Sequence, residues 1–189
     1  LRREQIIIAC THNHCGPALF GSTARLSYAI NSEQMAASRR YAETLKNKMV
    51  DVATKAIGAL APAELSHGIG RCGFAVNRRN NREADTTKEG FVPVGPVDHD
   101  VPVLCVRSDG KVRAVLFGYA CHCTTLSIMQ WCGDYAGFAR AYLQEMHPGA
   151  TALFVPGCGA DSNPLPRRSL ELCRNYGRQL ADDVQAVLT

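Results

Sequence analysis

A chain of 189 residues, 46% hydrophobic and 20% charged, with a mean hydropathy of -0.11, is long enough to bury one core. It is too mixed to be disordered, collagen-like or a coiled coil. No apolar run nears the roughly 18 residues of a membrane helix, so no transmembrane segment is expected. The net charge of +4 is mild, and the groups Arg78-Arg79-Asn80-Asn81-Arg82 and Arg167-Arg168 carry no interleaved aromatics; stacking on bases needs them, so no nucleic-acid partner is expected.

In chain order, residues 5–10 are short, apolar and β-branched, which predicts a buried strand. Residues 11–23 hold Gly16-Pro17 and Gly21-Ser22 and predict a loop. Ser32 is the expected N-cap of a helix running to about Leu60, with Tyr41, Leu45, Met49, Val52 and Ala56 on its inward face. Pro62 stops it, and residues 64–69 suit a strand. Residues 70–100 are irregular and predict a long functional loop.

Two strands are expected at residues 101–106 and 112–120, joined by Ser108-Asp109-Gly110-Lys111; Asp-Gly between alternating apolar runs is a hairpin signal. Gly133-Asp134 precedes a helix reaching about His147, closed by Pro148-Gly149. A buried strand follows at residues 151–155, then a turn at Gly157-Cys158-Gly159. Beyond Pro166 comes a last helix with the stripe Cys173, Gly177, Leu180, Val184 and Val187. The order β-α-β-β-β-α-β-α predicts an α/β or α+β domain, a mixed β-sheet layered with helices. One domain spans residues 1–189, with no second domain inside the chain. Since the first residue is Leu1 and a strand follows at once, the expectation is an incomplete domain from a longer protein.

Nine cysteines, an odd number without a C-x-x-C pair, argue against a disulfide framework or a zinc ribbon. Cys105, Cys121 and Cys173 fall in apolar patterns and are expected as buried thiols, which leans towards a reducing compartment.

The chemistry centres on histidine. In Thr11-His12-Asn13-His14 the two rings are two residues apart, so an extended backbone turns both to one side. His122 follows another buried strand directly. Strands ending on one sheet edge carry their next residues close together. Three imidazoles there suit zinc, a neutral-nitrogen site with positions left for water; zinc lowers the pKa of its water to roughly 7. Cys15, Cys121 and Cys123 flank these rings, so a structural Cys/His site is the rival reading. His67, His99 and His147 look ordinary, the last at a helix C-terminus where a cation is favoured. Asp161, Ser162 and Asn163 place a carboxylate, a hydroxyl and an amide after a further buried strand; an Asx-type turn explains them equally well. Gly-x-Ser-x-Gly does not occur, which argues against a nucleophile-elbow hydrolase.

Five motifs in order then resemble one family. They are Thr11-His12-Asn13-His14-Cys15-Gly16-Pro17, Gly73-Phe74-Ala75-Val76-Asn77-Arg78-Arg79, Ala120-Cys121-His122, Gly133-Asp134-Tyr135-Ala136-Gly137 and Gly159-Ala160-Asp161-Ser162-Asn163-Pro164. Together they resemble the N-terminal catalytic domain of the neutral/alkaline, non-lysosomal ceramidases. The resemblance implies a zinc-dependent amidase that hydrolyses the N-acyl bond of ceramide or a related N-acyl lipid. It implies His12 and His122 as zinc ligands, His14 as the companion that contacts water or the developing oxyanion, and Asn77 and Arg78 as rim residues that meet substrate. Asp161 and Asn163 fall on the family's later motif, where Gly-Asp-x-Ser-Pro is usual; Asn163 stands at the serine position and Ser162 one residue early. An amide can donate a hydrogen bond but cannot act as a nucleophile. The family's remaining zinc ligands, a Glu and a Tyr, lie further along, so the resemblance implies that the rest of a parent chain supplies them and that this piece alone is inactive. Members of the family are typically secreted or membrane-associated. The alternatives are a metal-dependent hydrolase of a non-sphingoid amide or ester, and a non-catalytic module.

Overall fold

A computed structural model describes residues 2–19 and 29–189. The chain divides into two compact units, one of Leu1–Cys15 with Ala63–Thr189 and one of Gly16–Pro62.

The smaller unit is built on helix α1, Ser32–Gly58. Its cap is Asn31, one residue before the expected Ser32: Gln34 N donates to Asn31 Oδ1 at 2.8 Å and Asn31 N to Gln34 Oε1 at 3.0 Å. This reciprocal pair satisfies two of the donors a helix start leaves open. The expected inward stripe is covered only at its beginning. Met35 and Ser38 are buried, Tyr41 and Leu45 half-buried, and Met49 and Val52 are 39% and 62% exposed. Periodicity marks a face; burial requires something packed on it. The expected loop at residues 11–23 is irregular as far as residue 19, and its remainder lies outside the described residues.

The larger unit contains a four-stranded mixed sheet. Strand β1 is Glu64–Arg71, β3 is Asp100–Ser108, β4 is Lys111–Tyr119 and β5 is Thr151–Pro156, in the order β1-β3-β4-β5. The first three run antiparallel, and β5 runs parallel to β4. The β3–β4 connection is the predicted Asp-Gly hairpin. Asp109 and Gly110 sit at φ 53° and 70°, the left-handed pair that matches the strand twist. Helix α2, Asp134–Met146, makes the crossover to β5, and helix α3, Leu170–Leu188, follows with Ser169 Oγ capping Leu172 N at 3.1 Å.

One face of the sheet is the core. Val101, Val103 and Cys105 of β3, Val115, Phe117 and Tyr119 of β4, and Ala152 and Phe154 of β5 alternate inward. They meet Tyr135, Ala139 and Leu143 of α2 and Cys173, Leu180 and Val184 of α3. Each large side chain so buried contributes roughly 1.5–3 kcal/mol. The predicted stripe of the last helix is therefore correct, with Val187 half-buried at its end. At Gly177 an added Cβ would lie 2.5 Å from Phe138 Cβ and 2.9 Å from Tyr135 O, so glycine there sets the approach of the two helices.

Two expectations fail for one reason. Residues 5–10 form no strand: Arg3–Gln5 is a 3-10 turn, and Ile6, Ile7 and Ile8 are 50%, 93% and 70% exposed. Composition favoured a strand, but a strand exists only against a partner, and these residues pair with none among those described. Conversely, the stretch at 70–100 is not all loop. It contains strand β2, Ala75–Asn77, which pairs antiparallel with β6, Ser162–Pro164, and a 3-10 turn at Glu83–Asp85. A three-residue strand is too short for periodicity to reveal. The β2–β6 pair is what joins the Asn77 motif to the Asp161 motif.

Candidate metal centre

Parallel strands β4 and β5 end on one edge, and Gly157 N donates to Tyr119 O across their ends at 3.0 Å. Three residues past β4 stands His122. Its backbone N–H donates to Ser162 O at 3.0 Å, and its ring Nδ1 meets Gly159 O at 2.7 Å. A carbonyl only accepts, so Nδ1 carries the proton and the Nε2 lone pair remains available.

Residues 12 and 14 complete the cluster. The ring centroids of His12 and His122 lie 4.9 Å apart, those of His12 and His14 5.0 Å, and those of His14 and His122 6.2 Å. His14 Nε2 and His12 Nε2 are 3.3 Å apart. One potential ligand atom from each ring lies within 4.8 Å of the others, and no thiol belongs to the group among the described residues. The flanking Cys121 and Cys123 are buried, and burial raises both thiols, Cys123 to about 12. The arrangement favours an imidazole site over a Cys/His site. His12 reaches it through a left-handed backbone, φ 54°, a region in which His and Asn are over-represented among non-glycine residues.

Two of the rings are biased towards the neutral form. Burial lowers His14, and the neighbouring His12 and His122 lower it further, with Arg78 adding and Asp134 opposing. Burial also lowers His122, against the Gly159 hydrogen bond, while Arg78 and His12 lower it again. A depressed imidazole binds fewer protons folded than unfolded, so between the lowered value and 6.5 acid favours unfolding. Metal-free protein is accordingly expected to lose stability as pH falls from 7.5 to 5.5, above the usual carboxylate range. Denaturant melts at both values check this; a His14→Gln, His122→Gln double variant with an unchanged slope contradicts it.

Other expected site residues are drawn together in a second group. Asn77 is buried; its Oδ1 accepts from Arg79 N at 2.9 Å and Asn80 N at 3.0 Å, and its Nδ2 donates to Pro96 O at 2.9 Å and weakly to Asp161 Oδ2 at 3.4 Å. Its carboxamide therefore shapes the turn that carries Arg78, whose backbone N donates to Asp161 O at 2.7 Å. The buried Arg78 Nε meets no acceptor among the described residues. Asp161 Oδ1 accepts from Ser162 Oγ at 3.3 Å. The side chain of Asn163 is buried, and its Oδ1 meets no donor among the described residues. No hydrogen bond joins Asp161 or Asn163 to the three rings among those described.

Several residues that orient the site fall in motifs of the sequence that assigned them no role. Asp134, wholly buried, accepts from Thr125 N, Leu126 N and Tyr135 N at 3.1, 2.9 and 2.8 Å, and Tyr135 Oη donates to Cys121 O at 2.7 Å. Together they hold the chain on both sides of His122. In sequence, Gly133-Asp134 resembles any acidic helix start. Gly159 acts through its carbonyl. A Cβ there would lie 2.5 Å from the Ala120 carbonyl carbon and closer still to Cys121 N. Gly159→Ala is expected to push that carbonyl off His122, weakening zinc binding about 10–100-fold as lost outer-shell partners do. Competition with a chelating dye measures it.

No protein-family profile matches the chain, and no curated protein matches it. Solved structures do. A ceramidase complexed with C2 superposes with a TM-score of 0.75 at 17% identity, covering 95% of this chain and 30% of that one. The neutral ceramidase of Pseudomonas aeruginosa gives a TM-score of 0.74 at 17% identity with the same coverage. The chain thus has the fold of part of these proteins, spanning about 30% of their length.

Proposed function

We propose that the chain is the histidine-bearing part of a zinc-dependent amidohydrolase that cleaves the N-acyl bond of ceramide or a related N-acyl lipid. The observation that carries this reading is the convergence of His12, His14 and His122 on a fold shared with neutral ceramidases. His12 and His122 hold the ion, and further ligands come from the remainder of the parent chain. When bound, zinc supplies Lewis acidity, which polarises an amide carbonyl and acidifies water.

The chain's own groups do the rest. His14, whose pKa is lowered by partial burial and by the neighbouring rings, can hydrogen-bond the oxygen on which charge develops. Arg78 brings a permanent positive charge and an unused Nε donor to the same region. Asn77 and Asp161 set the Arg78 turn through the contacts described, which makes the first a positioning residue at the substrate rim. Asn163 offers an amide where a serine is usual, and it donates rather than attacks. The test is metal content and acid release by the full-length protein over N-acyl sphingoid bases, N-acyl amino acids and N-acyl amino sugars. One zinc per chain and fastest release from the sphingoid substrate are expected; zinc-independent release, or preference for an amino sugar, would reject the ceramidase reading.

A further inference from the structure

Cys15 directly follows His14, and Cys132 lies two residues before Asp134, the carboxylate that holds the chain after His122. Far apart in sequence, the two cysteines are neighbours in space: Cys132 N donates to Cys15 O at 2.9 Å. A backbone hydrogen bond of that length leaves the two Cα atoms about 5–6.5 Å apart, inside the roughly 4.4–6.8 Å that a disulfide spans. Their side chains also share a side. Cys15 is buried in the core cluster, and the half-buried Cys132 packs against the same cluster. Both are thiols in this structure.

The other thiols of this region are worse placed to react. Cys173 lies within electrostatic reach of Cys132, but it is wholly buried and hydrogen-bonded to Asp134 and Thr125, and burial pushes its thiol far up. Cys121 and Cys123 are raised by burial in the same way. A thiol kept protonated is a poor nucleophile.

We propose that Cys15 and Cys132 are a reversible dithiol–disulfide pair whose closure fastens the segment of His12 and His14 to the foot of α2. The oxidant is a low-molecular-weight disulfide such as glutathione disulfide. The accessible Cys132 attacks first, as its thiolate: the glutathione S–S bond breaks, a mixed disulfide forms on Cys132 and one glutathione thiolate leaves. Cys15 then attacks the Cys132 sulfur and displaces the second glutathione. Two protein thiols are oxidised, one glutathione disulfide is reduced, and the two cysteine protons end on the two glutathione thiols. The bond closes a long loop, where a cross-link constrains open states most. No step involves zinc or an N-acyl bond, so the pair stands or falls separately from the function proposed above.

The test equilibrates the purified full-length protein in glutathione buffers from fully reduced to fully oxidised. Remaining thiols are alkylated, peptides are mapped by mass spectrometry without reduction, and amide hydrogen exchange is compared between the two forms. A Cys15–Cys132 cross-linked peptide that dithiothreitol cleaves is expected, with exchange at residues 12–15 slowed about tenfold or more on oxidation. Cys132→Ser should lose both the cross-link and the slowing while exchanging like the reduced wild type. Cys15→Ala should leave Cys132 trapped as a stable glutathione adduct. Pairing of Cys132 with Cys173, a wild-type glutathione adduct that never resolves, or equal exchange in the two forms would overturn the proposal.

Discussion

Alanine at His122 or His12 is expected to leave the full-length protein without stoichiometric zinc and to cut N-acyl hydrolysis by more than the about 10–100-fold that outer-shell losses cost. The reasoning starts from donor chemistry. Neutral imidazole is a strong zinc ligand, and His122 is locked in the useful tautomer by Gly159 O at 2.7 Å. No neighbouring thiol or carboxylate belongs to the cluster among the described residues, so His14 is the one side chain of the cluster that could stand in for a lost ring, and it cannot restore the full ligand set. A folding artefact has to be separated from lost ligation, and the backbone provides the means. Wild-type His12 already carries a Cβ at φ 54°, so His12→Ala adds little strain of its own, but Asn is the non-glycine residue that best tolerates the conformation. His12→Asn should therefore melt close to the wild-type apo protein and still lose zinc. Full zinc content in His12→Asn and in His122→Ala, by elemental analysis of the purified proteins, would defeat the assignment of both ligands.

The parts of this molecule that sequence revealed are those encoded by side-chain type at short range. Asp109-Gly110 announces its hairpin because few residues accept positive φ at both positions. The inward alternation of β3 to β5 and the Cys173–Leu180–Val184 stripe are periodic and long. His12, His14 and His122 stand out because few residue types bind zinc. What sequence concealed depends on partners far along the chain. Residues 5–10 have strand composition without a strand to pair with, and β2 and β6 are each three residues long. Helix α1 shows an apolar stripe, yet Val52 is 62% exposed. The supports of the site are mute for another reason: Asp134 accepts from backbone N–H groups, which almost any residue type could supply, and Gly159 accepts through its own backbone carbonyl, which every residue type has.

Asp134 supplies the second large effect. Its carboxylate is fully buried and accepts three backbone N–H bonds, two of them from the segment that follows His122. Removing it strands three buried donors at about 1–3 kcal/mol each, so Asp134→Ala should lose about 3 kcal/mol or more. That is a large share of the about 5–15 kcal/mol by which a domain is usually stable. In a chain of this size it corresponds to a melting temperature lower by about 6–12 °C. Alanine also meets the φ of 55° at this position, so it confounds backbone strain with lost hydrogen bonds. Asp134→Asn removes the ambiguity, because Asn accepts the backbone and keeps one oxygen. If that oxygen serves Thr125 N and Tyr135 N, as Oδ1 does, the new NH2 group confronts Leu126 N–H, donor against donor. Asn should then retain the fold at reduced stability while the segment after His122 shifts, weakening zinc binding about 10–100-fold. A melt within about 0.5 kcal/mol of wild type, together with unchanged zinc affinity, would mean that the carboxylate does not hold the ligand loop. The three short contacts would then have to be replaceable by water that a wholly buried site has no route to admit.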